Sequence, residues 1–214
     1  MRVLIACEES QAVCKEFRNL GHEAYSCDID PCSGGHPEWH IQSDALEVIH
    51  QGWDLMIAHP PCTRLTNAGA RWLKIPPNGK TLVDMWRDLF EGAEFYRALR
   101  DAPIKMKCIE NPIMHCHAKE LVNPGYRQVV QPWWFGEEMF KATGFELIGL
   151  PDLVPSNKLT PPEKGTEEHK AWSWVHRLPP STERARLRSK TPAGIAKAMA
   201  TQWSEYVELQ NQQA

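Results

Sequence analysis

Two short apolar runs in this sequence each stop at a proline-marked polar segment, and that arrangement limits the fold more than any other feature. Asp54-Leu55-Met56-Ile57-Ala58 runs into His59-Pro60-Pro61, and Ile104 to Ile109 runs into Glu110-Asn111-Pro112. Consecutive prolines give a ladder no amide hydrogens, so each run reads as a strand that ends in a loop. Continuous apolar strands without polar alternation belong to parallel sheets covered by helices. The N-terminus fits the same architecture. Arg2 to Ala6 is a buried strand, Ser10 to Leu20 places Val13, Phe17 and Leu20 at helical spacing, Gly21 ends that helix, and Glu23 to Asp28 is a second strand. This is a βαβ unit. From Thr81 to Leu99 one helical face is marked by Leu82, Met85, Trp86, Leu89, Phe90, Ala93, Tyr96 and Leu99, and Thr81 with Asp84 forms a capping-box pattern. Ligands of open α/β sheets bind outside the carboxyl ends of the strands, so His59 to Thr66 and Glu110 to Pro112 are expected to face one crevice.

Beyond Pro112 the pattern loosens. Val129 to Phe135 and Phe145 to Ile148 are expected as strands, the proline-rich stretch 151–180 as a long loop or lid, and Thr191 to Leu209 as a helix carrying Ile195, Met199, Trp203, Tyr206 and Val207. A chain of 214 residues suffices for one domain. The expected organisation is a single unit over 1–214: a core at 1–125, an irregular substrate-side region or lid at 126–190, and a helix at 191–212 that returns to the core.

Hydrophobic residues at 42% and charged residues at 24% exclude a wholly disordered or fibrous chain. The balance of 24 Lys and Arg against 27 Asp and Glu leaves a net charge of -3, so any nucleic-acid contact must come from a local patch. Seven cysteines, an odd and irregularly spaced set, fit a reduced intracellular protein better than a disulfide framework. No window approaches the roughly 18 apolar residues of a membrane span, and MRVLIACEES turns acidic where a signal peptide would stay apolar. The chain is therefore read as cytoplasmic, with no membrane partner. Its oligomeric state stays open.

Cys62 follows Pro60-Pro61 at a strand mouth, with His59 and Arg64 close in sequence as groups that favour a thiolate. It reads either as a nucleophile or as an inert packing thiol. Glu110 stands at the next strand edge, where partial burial raises a carboxyl pKa and makes it a proton donor at neutral pH; the alternative is a carboxylate ahead of a helix from Ile113 to Leu121. As a pair, one group can add to an electron-poor ring while the other protonates it.

In that order, after a βαβ unit, His59-Pro60-Pro61-Cys62 and Ile109-Glu110-Asn111-Pro112 resemble the proline-cysteine and glutamate-asparagine motifs of the cytosine carbon-5 DNA methyltransferases. The short methylase-like proteins of bacteriophages are the nearest match, which would place the chain in a host cytoplasm. The resemblance implies a Rossmann-like fold dependent on S-adenosylmethionine, with a mostly parallel sheet and flanking helices. It implies that Cys62 adds to carbon 6 of cytosine, that Glu110 protonates ring nitrogen 3, and that Asn111 braces the loop. Asp28 corresponds to the family's ribose-binding acid and Asp44 to the acid that contacts adenine, although Asp44 reads equally as a helix N-cap. Ile29 and Pro60 are carried over beside them as cofactor contacts. Thr182-x-Arg184-x-Arg186 is similar to the family's glutamine-x-arginine-x-arginine motif, whose arginine helps hold the cytosine.

The sequence departs from the family in two places. The glycine-rich first turn is replaced by Cys7-Glu8-Glu9-Ser10, where a carboxylate of Glu8 or Glu9, with Ser10, is expected to meet the methionine ammonium or else to stabilise a helix start. The late region is also too short for a full target-recognition domain. DNA is the expected partner, with relaxed specificity or as single strands. Trp133, Trp134, Trp172 and Trp174 read as stacking platforms or core, and Arg177 to Lys190 as a phosphate-binding run or a solvated loop. Cys27, Cys32, His36 and His40, with His115-Cys116-His117, have spacings zinc can use, but no metal is expected. The leading reading is methyl transfer to carbon 5 of cytosine in DNA. The alternatives are an enzyme of this fold acting on another pyrimidine or with another donor, and a non-catalytic nucleic-acid or partner-binding protein.

Overall fold

The computed structural model describes residues 1–110 and 113–213, with the side chains of 182, 183, 185 and 213 left aside. The chain begins with β1 (Arg2–Ala6), α1 (Ala12–Asn19) and β2 (Glu23–Asp28), as the first apolar run and its helical spacing require. Gly21 supplies the left-handed backbone, φ 83°, that ends the helical turn. There follow β3 (His40–Gln42), α2 (Ala45–Val48), β4 (Leu55–Ala58), α3 (Asn67–Ala70), α4 (Leu82–Arg100) and β5 (Met106–Glu110). Helix α4 starts at the expected capping box: Asp84 N donates to Thr81 Oγ1 and Thr81 N donates to Asp84 Oδ2. The chain goes on through α5 (Cys116–Val122), β6 (Arg127–Val130) and β7 (Thr143–Ile148) to α6 (Glu167–Trp172), α7 (Trp174–Arg177), α8 (Thr182–Ser189), α9 (Ala193–Ala198) and α10 (Ser204–Gln213). A π-helical turn, Met199–Trp203, joins the last two helices.

The strands form one sheet in the order β3-β2-β1-β4-β5-β7-β6, parallel throughout except that β7 runs antiparallel to both its neighbours. Alternation along each strand divides the core. Leu4, Ala6, Met56, Ala58 and Ile109 face α2, α4 and α5, packing with Val48, Met85, Leu89, Tyr96 and Val122. Val3, Ile5, Leu55, Ile57 and Cys108 face the other way, against Val13 and Phe17 of α1 and against Ile195, Met199 and Trp203 from the C-terminal helices. A sheet buried on both faces explains why its strands read as unbroken apolar runs. The expected Rossmann-like class of fold, a mostly parallel sheet with flanking helices, is the one found.

The late chain differs from expectation in two places. The run to Phe135 stops as a strand at Val130, because Pro132 cannot donate to a ladder and opens a 3-10 turn, Pro132–Trp134. The stretch 151–180 contains α6 and α7, α6 being N-capped by Thr166, whose hydroxyl accepts from His169 N. His40, one of the residues at zinc-compatible spacing, begins the edge strand β3. Among the described residues, no helix is long and apolar enough to cross a membrane.

Candidate active site

Strands β1, β4 and β5 are neighbours, so the segments leaving their carboxyl ends lie side by side. Ala58 stands opposite Ala6 on one side and Ile109 on the other. His59 and Glu110 therefore take the next rung, and His59 N donates to Ala6 O at 2.9 Å. There His59 Nδ1 lies 2.5 Å from Glu110 Oε2, with only 11% and 17% of the two side chains exposed. Burial alone would raise the Glu110 pKa, but the hydrogen bond and charge of His59, with Lys141 beyond, hold it below its usual value of 4.5. Burial likewise disfavours charge on His59, yet the Glu110 hydrogen bond and charge, with Glu8, carry its pKa above the usual 6.5. The sequence expectation that partial burial raises the Glu110 pKa is reversed in direction here, because His59 and Lys141 outweigh the desolvation. Burial brings the imidazole with it, and the two groups shift each other's pKa in opposite directions.

Pro60 is buried and Pro61 exposed, turning the chain out of β4 so that Cys62 sits half-buried at the crevice mouth. Its carbonyl accepts from Leu65 N and Thr66 N, closing a tight turn. Gly69 of α3 fits beneath: a Cβ there would lie 2.3 Å from Thr63 O, so only glycine lets α3 approach. Burial pushes the Cys62 thiol above its usual range and the Glu110 carboxylate adds to this, while Arg188 and Lys141 oppose it. The neighbours expected to favour a thiolate are engaged elsewhere: Arg64 pairs with Asp88 at 3.0 Å, and His59 with Glu110. Lys141, four residues ahead of the Phe145 that pairs with Glu110 across β7 and β5, was not singled out by sequence spacing. Its Nζ donates to Lys190 O at 2.7 Å, and burial lowers its pKa while the Glu110 carboxylate acts to raise it. Only the pairing of β5 with β7 brings it here.

Of the arginines matched by motif, Arg184 is half-buried, with Nε lacking a hydrogen-bond partner among the described residues. Arg186 lines a cleft of 190 Å³ with Glu9, Ser10, Lys15 and Lys190. It is Arg188, one turn on, whose charge acts on Cys62. Asn111 lies outside the described residues.

The first loop solves its geometry without glycine. Cys7 and Gln11 themselves take left-handed backbone, φ 59° and 56°. Glu8 is buried and turned inward, accepting from Val13 N at 2.7 Å and Cys14 N at 3.2 Å, so it holds the start of α1 and is not available to a cofactor ammonium. Burial raises its pKa. Ser10 Oγ accepts from Ala12 N, and Gln11, fully buried, grips both N–H and carbonyl of His36 and so pins the loop after β2 over this turn. Asp28 ends β2 with its pKa raised by burial, and the apolar Ile29 beside it is 72% exposed. Asp44 is the N-cap of α2, accepting from Leu46 N at 2.9 Å. The thiol of Cys7 is held up by burial first, then by the charges of Asp28, Cys27 and Asp44, which places both acids around the ends of β1 and β2. The polar and exposed groups here that could hold a cofactor are Asp28 and Ile29 at the β2 end and the cleft of Glu9, Ser10, Lys15, Arg186 and Lys190.

The tryptophans serve packing more than display. Trp172 is 4% exposed and packs on Phe140, and Trp134 packs on the core, whereas Trp174 is 39% exposed. Among the described residues no cluster of three or more potential metal ligands forms. His40 is bonded to Ser26 and Asp30, His115 caps α5, and His36 stacks on Trp39.

Neither a protein-family model nor a curated protein sequence matches this chain. Among solved structures, it is similar to the Entamoeba histolytica methyltransferase EhMeth at 15% identity and a TM-score of 0.48, over 74% of this chain and 57% of that one. It is also similar to a prophage-encoded protein of E. coli described as a DNA modification methyltransferase, at 15% identity and a TM-score of 0.40, over 68% and 45% of the two chains. The chain thus spans about half the length of these solved structures.

Proposed function

We propose that this chain transfers a methyl group from S-adenosylmethionine to carbon 5 of cytosine in DNA through a covalent adduct on Cys62. The observation that supports the reading is geometric: the Cys62 turn leaves β4 and Glu110 ends β5, strands that pair side by side, with His59 Nδ1 against the Glu110 carboxylate, and that carboxylate acts on the Cys62 thiol. Carbon 5 of cytosine is a poor nucleophile until sulfur bonds to carbon 6 and pushes electrons into the ring. A proton delivered from Glu110 to ring nitrogen 3 neutralises the charge that addition creates, and Arg188 and Lys141 offset the cost of ionising a thiol whose pKa is raised. Bound S-adenosylmethionine supplies an electrophilic methyl group. A solvent water then takes the carbon-5 proton, ring nitrogen 3 returns its proton to the carboxyl, and the electrons re-form the ring double bond as the sulfur leaves as thiolate. Asp28, Ile29, Glu9 and Ser10 would hold the cofactor, and the cationic α8 with Lys15 would meet DNA phosphates.

DNA carrying 5-fluorocytosine tests the reading, because fluorine cannot leave as a proton and the adduct persists. Incubated with cofactor, the protein should form a covalent complex stable to denaturing electrophoresis, and Cys62→Ser should form none. An adduct that survives in Cys62→Ser would reject the nucleophile. Absence of S-adenosylmethionine binding by calorimetry would reject methyl transfer.

A further inference from the structure

The charges buried around Glu110 carry one step more, resting on the reading of that residue as the acid. A carboxylate held as an anion cannot protonate a ring by itself. Every charged group acting on His59 comes from a different segment: Glu110 ends β5, Glu8 follows β1, and Lys141 precedes β7. Both Glu8 oxygens are already taken by Val13 N and Cys14 N, so Glu8 acts on the imidazole by its field. His59 Nε2 is buried with no hydrogen-bond partner among the described residues, which leaves Nδ1 and its contact with Glu110 as the ring's one polar tie there.

We propose that His59 is a positioning residue that stores the proton Glu110 delivers to the pyrimidine. When the Cys62 thiolate, its proton already given to solvent water, bonds to carbon 6, the proton leaves His59 Nδ1, passes through the Glu110 carboxyl and bonds to ring nitrogen 3. The His59–Glu110 pair changes from neutral to singly negative as the ring anion is neutralised. Expulsion of the sulfur returns the proton to the pair, so no outside acid is consumed. After Glu110 itself, the Glu8 carboxylate acts to raise the imidazole pKa and Lys141 to lower it, while Lys141 also favours the Glu110 carboxylate.

Two measurements decide it. NMR titration of the His59 imidazole needs no turnover: it should titrate above 6.5 in the wild-type protein and fall below that in Glu110→Gln. The same titration point in both proteins would overturn the proposal. In His59→Gln, with His59→Asn as the second variant should the first not fold, kcat should drop about tenfold or more while KM for DNA stays within about twofold. An unchanged kcat would overturn it. A wild-type protein that forms no 5-fluorocytosine adduct would instead reject the methylation reading, and the imidazole titration would still decide the pair.

Discussion

At the scale of the residue, the site turns on where one proton sits. The sequence pointed to Cys62 and Glu110 and to the type of chemistry a thiol and a carboxyl can share. It could not give the ionisation of either group, because that depends on Lys141 and Arg188, which lie far away in the chain. The His59–Glu110 contact makes stability pH-dependent in a defined window. His59 has its pKa raised, so its contribution is complete below pH 6.5 and is lost as pH rises through the raised value. Glu110 has its pKa lowered, so its contribution is complete above pH 4.5 and is lost as pH falls through the lowered value. The melting temperature of the wild-type protein relative to His59→Gln should therefore differ most between pH 4.5 and 6.5, and the gap should narrow on both sides. A gap that does not change with pH would mean that the two groups do not pair.

At the scale of the element, the turn after β1 shows how local sequence can mislead. Two adjacent acids beside a helix start read equally as cofactor ligands or as caps, and the structure divides the roles: Glu8 turns inward onto Val13 N and Cys14 N, while Glu9 lines the cleft with Lys15 and Lys190. Which acid faces which way follows from the left-handed backbone at Cys7, which no propensity at that residue announces. Replacing Glu8 by Ala strands two buried amides and should cost about 2 kcal/mol in urea unfolding. Glu9→Ala should leave unfolding unchanged within about 0.5 kcal/mol, since its surroundings are solvated. Helix α4, by contrast, was legible from end to end, because a capping box and a long apolar face are signals contained within the helix itself.

At the scale of the whole molecule, the C-terminal helices complete the face of the sheet that α1 covers only in part. Trp203, fully buried on the π-helical turn, packs edge-on to Phe145 of β7 and donates from Nε1 to Pro151 O at 3.0 Å. Trp203→Ala should destabilise by about 3 to 5 kcal/mol, read as a lower midpoint in chemical denaturation. A loss under about 1 kcal/mol would mean that the helix docks without it. The sequence alone determined the parallel sheet, the ends of β1, β2 and β4 and the span of α4, because apolar runs, proline stops and caps act over a few residues. Tertiary structure alone decided that β7 lies antiparallel beside β5, that the charges of Arg188 and Lys141 act on the thiol, and that His59 pairs with Glu110. Each of these depends on charges and strands brought together from distant parts of the chain, and the field at a buried group is the sum over all of them.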